Sequence, residues 1–268
     1  MPALSKPSGY TKNISDWDNQ KMKLHFSGNR VLILGGSSDL AITLAELMIK
    51  SDLFPILTYR NDEGERYISE ALQPFAGKYN SHYLDFSDRD SVDSLFHQIG
   101  NDIDFLVDFV QGDLESLIAS ADEDSIYRYF TENVSFRAEI LKRAGRAMLK
   151  KKRGKLVFIS STAADKPNPG QGFYASAKLA SEALYRNLGI ELGRHGITTV
   201  SLRPGYIDAG RGKAFIKARQ KEVMKKVPIK RALTGQEVAE TILFFLSDSS
   251  KGFNATEICI DGGLTAGK

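Results

Sequence analysis

Seven short apolar runs, separated by longer amphipathic stretches, constrain this chain more than any other feature. They are Val31-Leu32-Ile33-Leu34, Pro55-Ile56-Leu57-Thr58, His82-Tyr83-Leu84, Phe105-Leu106-Val107, Leu156-Val157-Phe158-Ile159, Thr198 to Leu202 and Glu257 to Ile260. Most do not alternate with polar residues, the pattern of strands covered on both faces. Helical patterning lies between them, over 40–50, 62–76, 88–99, 125–151, 173–194 and 235–247. Strands that alternate with helices connect by right-handed crossovers, so the expected fold is α/β: a doubly wound parallel sheet of seven strands with helices on both faces. No repeat or low-complexity linker interrupts the series, and one domain is expected over 30–268. An extension, 1–29, precedes it. That segment reads either as a disordered tail or as one docked through Ile14, Trp17, Leu24 and Phe26.

Composition narrows the class. With 42% hydrophobic and 26% charged residues over 268 positions, the chain has enough apolar mass to fold. A single cysteine cannot form an internal disulfide and fits a reducing compartment. The four histidines, His25, His82, His97 and His195, show no ligand spacing, so no metal is expected. No run approaches the roughly 18 apolar residues of a membrane span, and the start lacks the core of a signal peptide. A cytoplasmic protein with no membrane association is therefore expected.

The net charge of +3 conceals a split: residues 1–136 carry a net −11 and residues 137–268 a net +14. Segments 137–155 and 211–231 each hold nine Lys/Arg and one acid. Such patches suit an acidic partner or a phosphate-bearing ligand, or are solvated helix faces. Without a recognition motif or interleaved aromatics, nucleic acid is not expected.

The chemistry-bearing residues fall after the strands. The turn Gly35-Gly36-Ser37-Ser38-Asp39-Leu40-Ala41 leads from the first strand into a helix, where backbone N–H groups can approach a pyrophosphate. The second strand ends Thr58-Tyr59-Arg60-Asn61; a cation with no acid there favours a 2′-phosphate, hence NADP(H) over NAD(H). Asp85, beside Phe86, closes the third strand and could accept from an adenine amino group or cap the next helix. Tyr174 and Lys178 stand four apart on one helix face, where an ammonium lowers the phenol pKa towards working pH. Ser161 follows the fifth strand at the carboxyl edge. Asn133 shares a face with Ile126, Phe130, Ile140 and Leu141, and a buried amide there needs a partner. Arg203-Pro204-Gly205-Tyr206-Ile207 and Asp261-Gly262-Gly263 follow the sixth and seventh strands.

In this order and spacing, residues 29–264 resemble a short-chain dehydrogenase/reductase, most like the 3-oxoacyl-[acyl-carrier-protein] reductases, which share Gly170-Gln171-Gly172 and Pro228-Ile229-Lys230-Arg231. The resemblance implies a Rossmann domain in which Tyr174 protonates a substrate carbonyl and Lys178 tunes Tyr174 and holds the nicotinamide ribose. It implies that Ser161 binds the carbonyl oxygen and that Asn133 holds a water linking Lys178 to solvent. The cofactor would lie against Gly35, Ser37, Ser38, Asp39, Leu40, Tyr59, Arg60, Asp85, Phe86, Tyr174, Lys178, Pro204, Gly205 and Ile207. Residues 206–229 would form a substrate lid, and a homo-oligomer, dimer or tetramer, is expected.

The sequence also departs from the family pattern. Asp39 and Ala41 stand where glycines are usual, Asp108-Phe109-Val110-Gln111 replaces Asn-Asn-Ala-Gly, and Ala209 replaces a threonine that contacts the nicotinamide amide. Asp39 could cap its helix but brings a carboxylate near a pyrophosphate. The resemblance further implies reduction of a 3-oxoacyl thioester, with an acyl carrier protein received beside the active-site mouth at Lys152, Arg153 and Arg194, and Arg211, Lys213 and Lys217 added by the lid. Reduction of another ketone or oxidation of a secondary alcohol, in secondary or sugar metabolism, is the alternative. A non-catalytic cofactor-binding scaffold is the alternative of a different class.

Overall fold

Strand β1 (Arg30–Leu34) divides its side chains between two cores: Val31 and Ile33 join one buried cluster, Leu32 and Leu34 the other. A computed structural model describes residues 23–266 of the chain. After β1 come α1 (Asp39–Lys50), β2 (Phe54–Tyr59), α2 (Asp62–Ala71), β3 (Asn80–Tyr83), α3 (Arg89–Gln98), β4 (Phe105–Asp108), α4 (Glu123–Phe130) and α5 (Phe136–Lys151). The second half runs β5 (Gly154–Ile159), α6 (Gly172–Leu192), β6 (Ile197–Pro204), α7 (Gly210–Lys226), α8 (Gly235–Leu246) and β7 (Thr256–Ile260).

All seven strands are parallel, in the order β3-β2-β1-β4-β5-β6-β7. In register, Ile33 lies between Leu57 of β2 and Val107 of β4. The winding direction changes between β1 and β4, and the carboxyl ends of the strands open a crevice there. Leu44 and Met48 of α1 and Ile242 and Leu246 of α8 cover one face of the sheet. Leu95 and Phe96 of α3, Ile140 and Met148 of α5 and Tyr185 of α6 cover the other.

Three boundaries differ from the sequence pattern. The helix expected over 125–151 is broken by a π turn at Thr131–Ser135. The helix expected over 62–76 stops at Ala71, and Pro74 sits in a short 3-10 turn, where a residue without an N–H is tolerated. The third strand starts two residues early, at Asn80. Leu24 and Phe26 of the extension pack on the core, with the Phe26 ring edge-on to Phe105 at 6.4 Å. Ile14 and Trp17 lie outside the described residues. No helix among the described residues is long and apolar enough to cross a membrane.

Candidate active site

The turn after β1 is shaped by Gly35 and Ser38. Gly35 has φ +73°, and a Cβ there would press on Val110 at 3.3 Å. Its N–H donates to Thr58 Oγ1 at 3.0 Å, which ties the turn to the end of β2. Ser38 caps α1: its Oγ accepts from the Ala41 N–H and donates to the Gly35 carbonyl. The cap is therefore Ser38, and Asp39 is the first helical residue.

The Asp39 carboxylate turns aside. Oδ1 accepts from the Tyr67 hydroxyl at 2.6 Å and Oδ2 from the Gly210 N–H at 3.0 Å. These two bonds hold the Asp39 carboxyl below its usual range, while the bond to Asp39 pushes the Tyr67 phenol up to about 12.

A cavity of about 420 Å³ opens at this turn, lined by Gly35, Ser37, Ser38, Tyr59, Arg60, Asp85, Phe86 and Asn133 among others. Its glycine-shaped floor, helix amino terminus and cation at the end of β2 suit the diphosphate and adenosine of a dinucleotide. Among the described residues, Arg60 makes no ion pair or hydrogen bond. Asp85 Oδ1 accepts from both the N–H and hydroxyl of Ser87; Asp88, not Asp85, caps α3. Gln111, Gly112 and Glu132 also line this cleft and were not expected from the sequence. Asp39 instead borders an adjoining cavity of about 620 Å³ with Glu63, Arg66 and Glu70. Leu40, Pro204, Gly205 and Ile207 do not line the cleft. Gly205 sits tightly against Asp261, and Ile207 bridges to Leu233 at the root of α7.

Ser161 and Tyr174 line a third cavity, of about 810 Å³, at the same sheet edge. Ser161 Oγ accepts from the Ala163 N–H at 3.1 Å, which leaves the hydroxyl proton to donate elsewhere. Tyr174 is in the first turn of α6, and Lys178 follows one turn on with its Nζ 5.7 Å from the Tyr174 ring centre. Buried Lys178 donates to the Ile159 carbonyl at 2.7 Å and lies 4.8 Å from the Phe158 ring centre. A phenol, an ammonium and a donating hydroxyl thus converge beside the cleft, a set able to supply a proton to a carbonyl oxygen and hold the charge that develops on it.

Asn133 sits in the π turn, where its Oδ1 accepts from the Gly112 N–H at 2.7 Å and its Nδ2 donates to the Tyr129 carbonyl at 2.8 Å. Its own carbonyl accepts from Arg137 Nη1 and, at 3.4 Å, from Ser181 Oγ. Both side-chain polar atoms and the carbonyl of Asn133 thus have protein partners.

Two buried charge clusters flank α6. Arg137 pairs with Asp108 at 2.7 Å, and Tyr185 donates to the same carboxylate at 3.0 Å. Glu182 accepts from Ser160 Oγ and takes Arg203 bidentately at 2.8 and 2.6 Å. Arg137 stands four residues after Asn133, and Glu182 four after Lys178. A charge at that spacing on an apolar face was the available signal for both.

The expected carrier contacts lie elsewhere. Lys152 and Arg153 precede β5 and Arg194 precedes β6, at the amino edge of the sheet, whereas Ser161 and Tyr174 follow β5 at the carboxyl edge. Six strand residues span about 20 Å, so within one chain these cations are not beside the mouth. Arg153 is also paired with Asp104. On α7, Lys213 and Lys217 are exposed.

A family model described as Enoyl-(Acyl carrier protein) reductase matches residues 36–265. Over 241 residues the chain is 25% identical to 3-oxoacyl-[acyl-carrier-protein] reductase FabG of Haemophilus influenzae, across 88% of this chain and 98% of that protein. A solved structure described as a short chain dehydrogenase/reductase family protein superposes with a TM-score of 0.80 at 25% identity, covering 91% of this chain and 100% of that one. A gluconate 5-dehydrogenase from Burkholderia cenocepacia, in complex with NADP and tartrate, superposes with a TM-score of 0.82 at 22% identity, over 92% and 98% of the two chains, a likeness of fold.

Proposed function

The chain belongs to the short-chain dehydrogenase/reductase family, whose members use a nicotinamide cofactor, and on that premise we propose that it is an NADPH-dependent carbonyl reductase converting a 3-oxoacyl thioester to the 3-hydroxyacyl product. The reading is carried by the placing of Ser161 and Tyr174 on one cavity at the carboxyl edge, with Lys178 one turn behind Tyr174.

Reduced nicotinamide, when bound, supplies the hydride. In this reading Ser161 donates its hydroxyl proton as a hydrogen bond to the carbonyl oxygen and steadies the negative charge growing there. Tyr174 transfers its phenolic proton to that oxygen, and the Lys178 ammonium favours the phenolate left behind. Asn133 is a positioning residue, fixing Gly112 at the lip of the cleft against α4. Gly35, Ser37 and Ser38 take the diphosphate side of the dinucleotide, and Arg60, with Tyr59 in place of an acid, takes a 2′-phosphate. Residues 206–229, including α7, act as the lid, and its exposed Lys213 and Lys217 would meet an acidic carrier at the mouth.

The test is cofactor oxidation with the acetoacetyl thioester of N-acetylcysteamine. Turnover is expected with NADPH at least about tenfold better in kcat/KM than with NADH, and Arg60→Ala should reduce that preference to about threefold or less. Bound NADPH without turnover of this thioester or of a panel of ketones would contradict the reading.

A further inference from the structure

Three consecutive residues at the end of β5 are each held in a different way. The Ile159 carbonyl accepts from Lys178 Nζ at 2.7 Å. The buried Ser160 hydroxyl donates to Glu182 Oε1 at 2.5 Å. Ser161 comes next and lines the cavity it shares with Tyr174. Lys178 and Glu182 stand one turn apart on α6, about 6 Å along its axis. The strand end is therefore clamped to the helix at two points. Tyr174 lies one turn before Lys178 on the same helix, so both Ser161 and Tyr174 take their positions from this clamp.

Glu182 is itself fixed by the neighbouring strand. Arg203, near the end of β6, donates Nε to Oε1 at 2.8 Å and Nη2 to Oε2 at 2.6 Å, and the Glu182 side chain is wholly buried. The residue before Arg203 closes a ring: the Leu202 carbonyl accepts from the Ser160 N–H at 2.8 Å. Two adjacent residues of β6 thus hold Ser160, one directly at its backbone and one through Glu182 at its side chain. A two-pronged guanidinium–carboxylate pair fixes direction as well as distance. Apolar side chains of similar volume often stabilise a fold as well as a buried ion pair does, but they could not accept a hydrogen bond from Ser160.

We propose that Glu182 is a positioning residue for the reduction: oriented by Arg203, it sets the Ser160 hydroxyl and thereby the placement of Ser161 relative to Tyr174. The role rests on the carbonyl-reductase reading, in which Ser161 donates to the substrate oxygen. A group misplaced by about 1 Å from the reacting atoms can cost on the order of a hundredfold in rate. Because Arg203 matches the Glu182 charge at contact distance, the action on Ser161 is geometric and leaves proton transfer from Tyr174 unaltered.

The experiment is a double-mutant cycle in NADPH-dependent reduction of the acetoacetyl thioester of N-acetylcysteamine, with each protein normalised to its NADPH-binding sites. Ser160→Ala removes the hydrogen bond to Glu182 and keeps both charges of the Glu182–Arg203 pair. It tests the link without stranding a buried guanidinium, as Glu182→Ala would. Its kcat should fall about tenfold, with NADPH Kd within about twofold of wild type. Ser161→Ala alone should cost about a hundredfold. In the Ser161→Ala background, Ser160→Ala should cost less than about twofold, because no hydroxyl remains to be misplaced. The pH of half-maximal kcat in Ser160→Ala should stay within about 0.3 units of wild type, since no charge changes.

A Ser160→Ala protein within about twofold of the wild-type kcat overturns the proposal. So does a loss that multiplies with that of Ser161→Ala, the mark of a general disturbance of the site. A shifted pH profile would place the effect on Tyr174 and Lys178 and overturns it likewise. Each of these results, with turnover in the wild type, leaves the reductase reading standing. Bound NADPH without turnover by the wild type contradicts that reading, and the role of Glu182 falls with it.

Discussion

A guanidinium shut away from water is tolerable only if its nitrogens are engaged, and all three nitrogens of Arg137 donate. Nε reaches Asp108, Nη1 reaches the Asn133 carbonyl and Ser181 Oγ, and Nη2 reaches the Val110 carbonyl. The Asp108 carboxylate accepts in addition from the Val110 N–H and the Tyr185 hydroxyl. Both charged side chains are wholly buried, and burial drives the Tyr185 phenol well above its ordinary pKa. The cluster joins β4, the π turn and α6 within one side chain's reach of Lys178. Arg137→Met leaves the Asp108 charge buried without its counter-charge. It should cost about 3–5 kcal/mol, read as a fall in Tm of roughly 10 °C. Asp108→Asn combined with Arg137→Met should recover much of that loss. A single variant within about 1 °C of wild type would show that the pair is not structurally required. Asp108 was visible in the sequence as a departure after β4. Arg137, the first cation of the basic segment 137–155, was counted there in a patch suited to an acidic partner, a phosphate-bearing ligand or solvent, because nothing local points to a partner 29 positions away.

At the scale of elements, the catalytic edge depends on interruptions of regular structure. The Asn133 carbonyl, in the π turn at Thr131–Ser135, accepts from the Arg137 and Ser181 side chains. Helix α7 lacks a side-chain cap of its own, since Ala209 stands at its N-cap. The carboxylate at its first N–H comes from Asp39, so one residue connects α1, α2 and α7. Gly210 enters α7 with φ +51°, a conformation glycine adopts readily.

The same carboxylate stands beside the proposed diphosphate site, so it anchors the start of α7 while opposing an anionic cofactor. Asp39→Asn keeps an acceptor for Gly210 but removes the charge, and should tighten NADPH roughly three- to tenfold by fluorescence titration. Asp39→Gly should tighten it similarly while making the lid more susceptible to proteolysis. Unchanged affinity in both variants would remove the electrostatic argument. Because the Asp39 carboxyl is held below its ordinary value of 3.8, the latch contributes fully above that pH and is lost only as pH falls through the lower folded value.

Over the whole molecule, the apolar runs identified the strands because period and burial are local properties. The doubly wound sheet, the glycine turn, and the positions of Ser161, Tyr174 and Lys178 at one edge were legible for the same reason. The charge split was legible only as an amount. Of the cations in 137–155, Arg137 and Lys155 are buried, and Lys151 and Arg153 serve Asp104. On α7, cations stand exposed at Lys213 and Lys217 and line the cavity beside Ser161 and Tyr174 at Arg219 and Lys226. Which edge of the sheet a loop cation occupies follows from strand direction, and on that ground Lys152, Arg153 and Arg194 are set apart from the mouth. Long-range pairs such as Glu182 with Arg203 were not legible, because the spacing that marks Glu182 says nothing of a partner 21 positions away.

The assignment of Tyr174 as the proton donor is the hinge of this account, and single-turnover kinetics test it most directly. NADPH-loaded wild-type protein and Tyr174→Phe are mixed with the acetoacetyl thioester, and loss of reduced cofactor is followed while NADPH affinity is measured separately. The rate in the variant should be lower by about a thousandfold, with NADPH Kd within about twofold of wild type. A Tyr174→Phe protein that reduces the thioester within about threefold of the wild-type rate would contradict it.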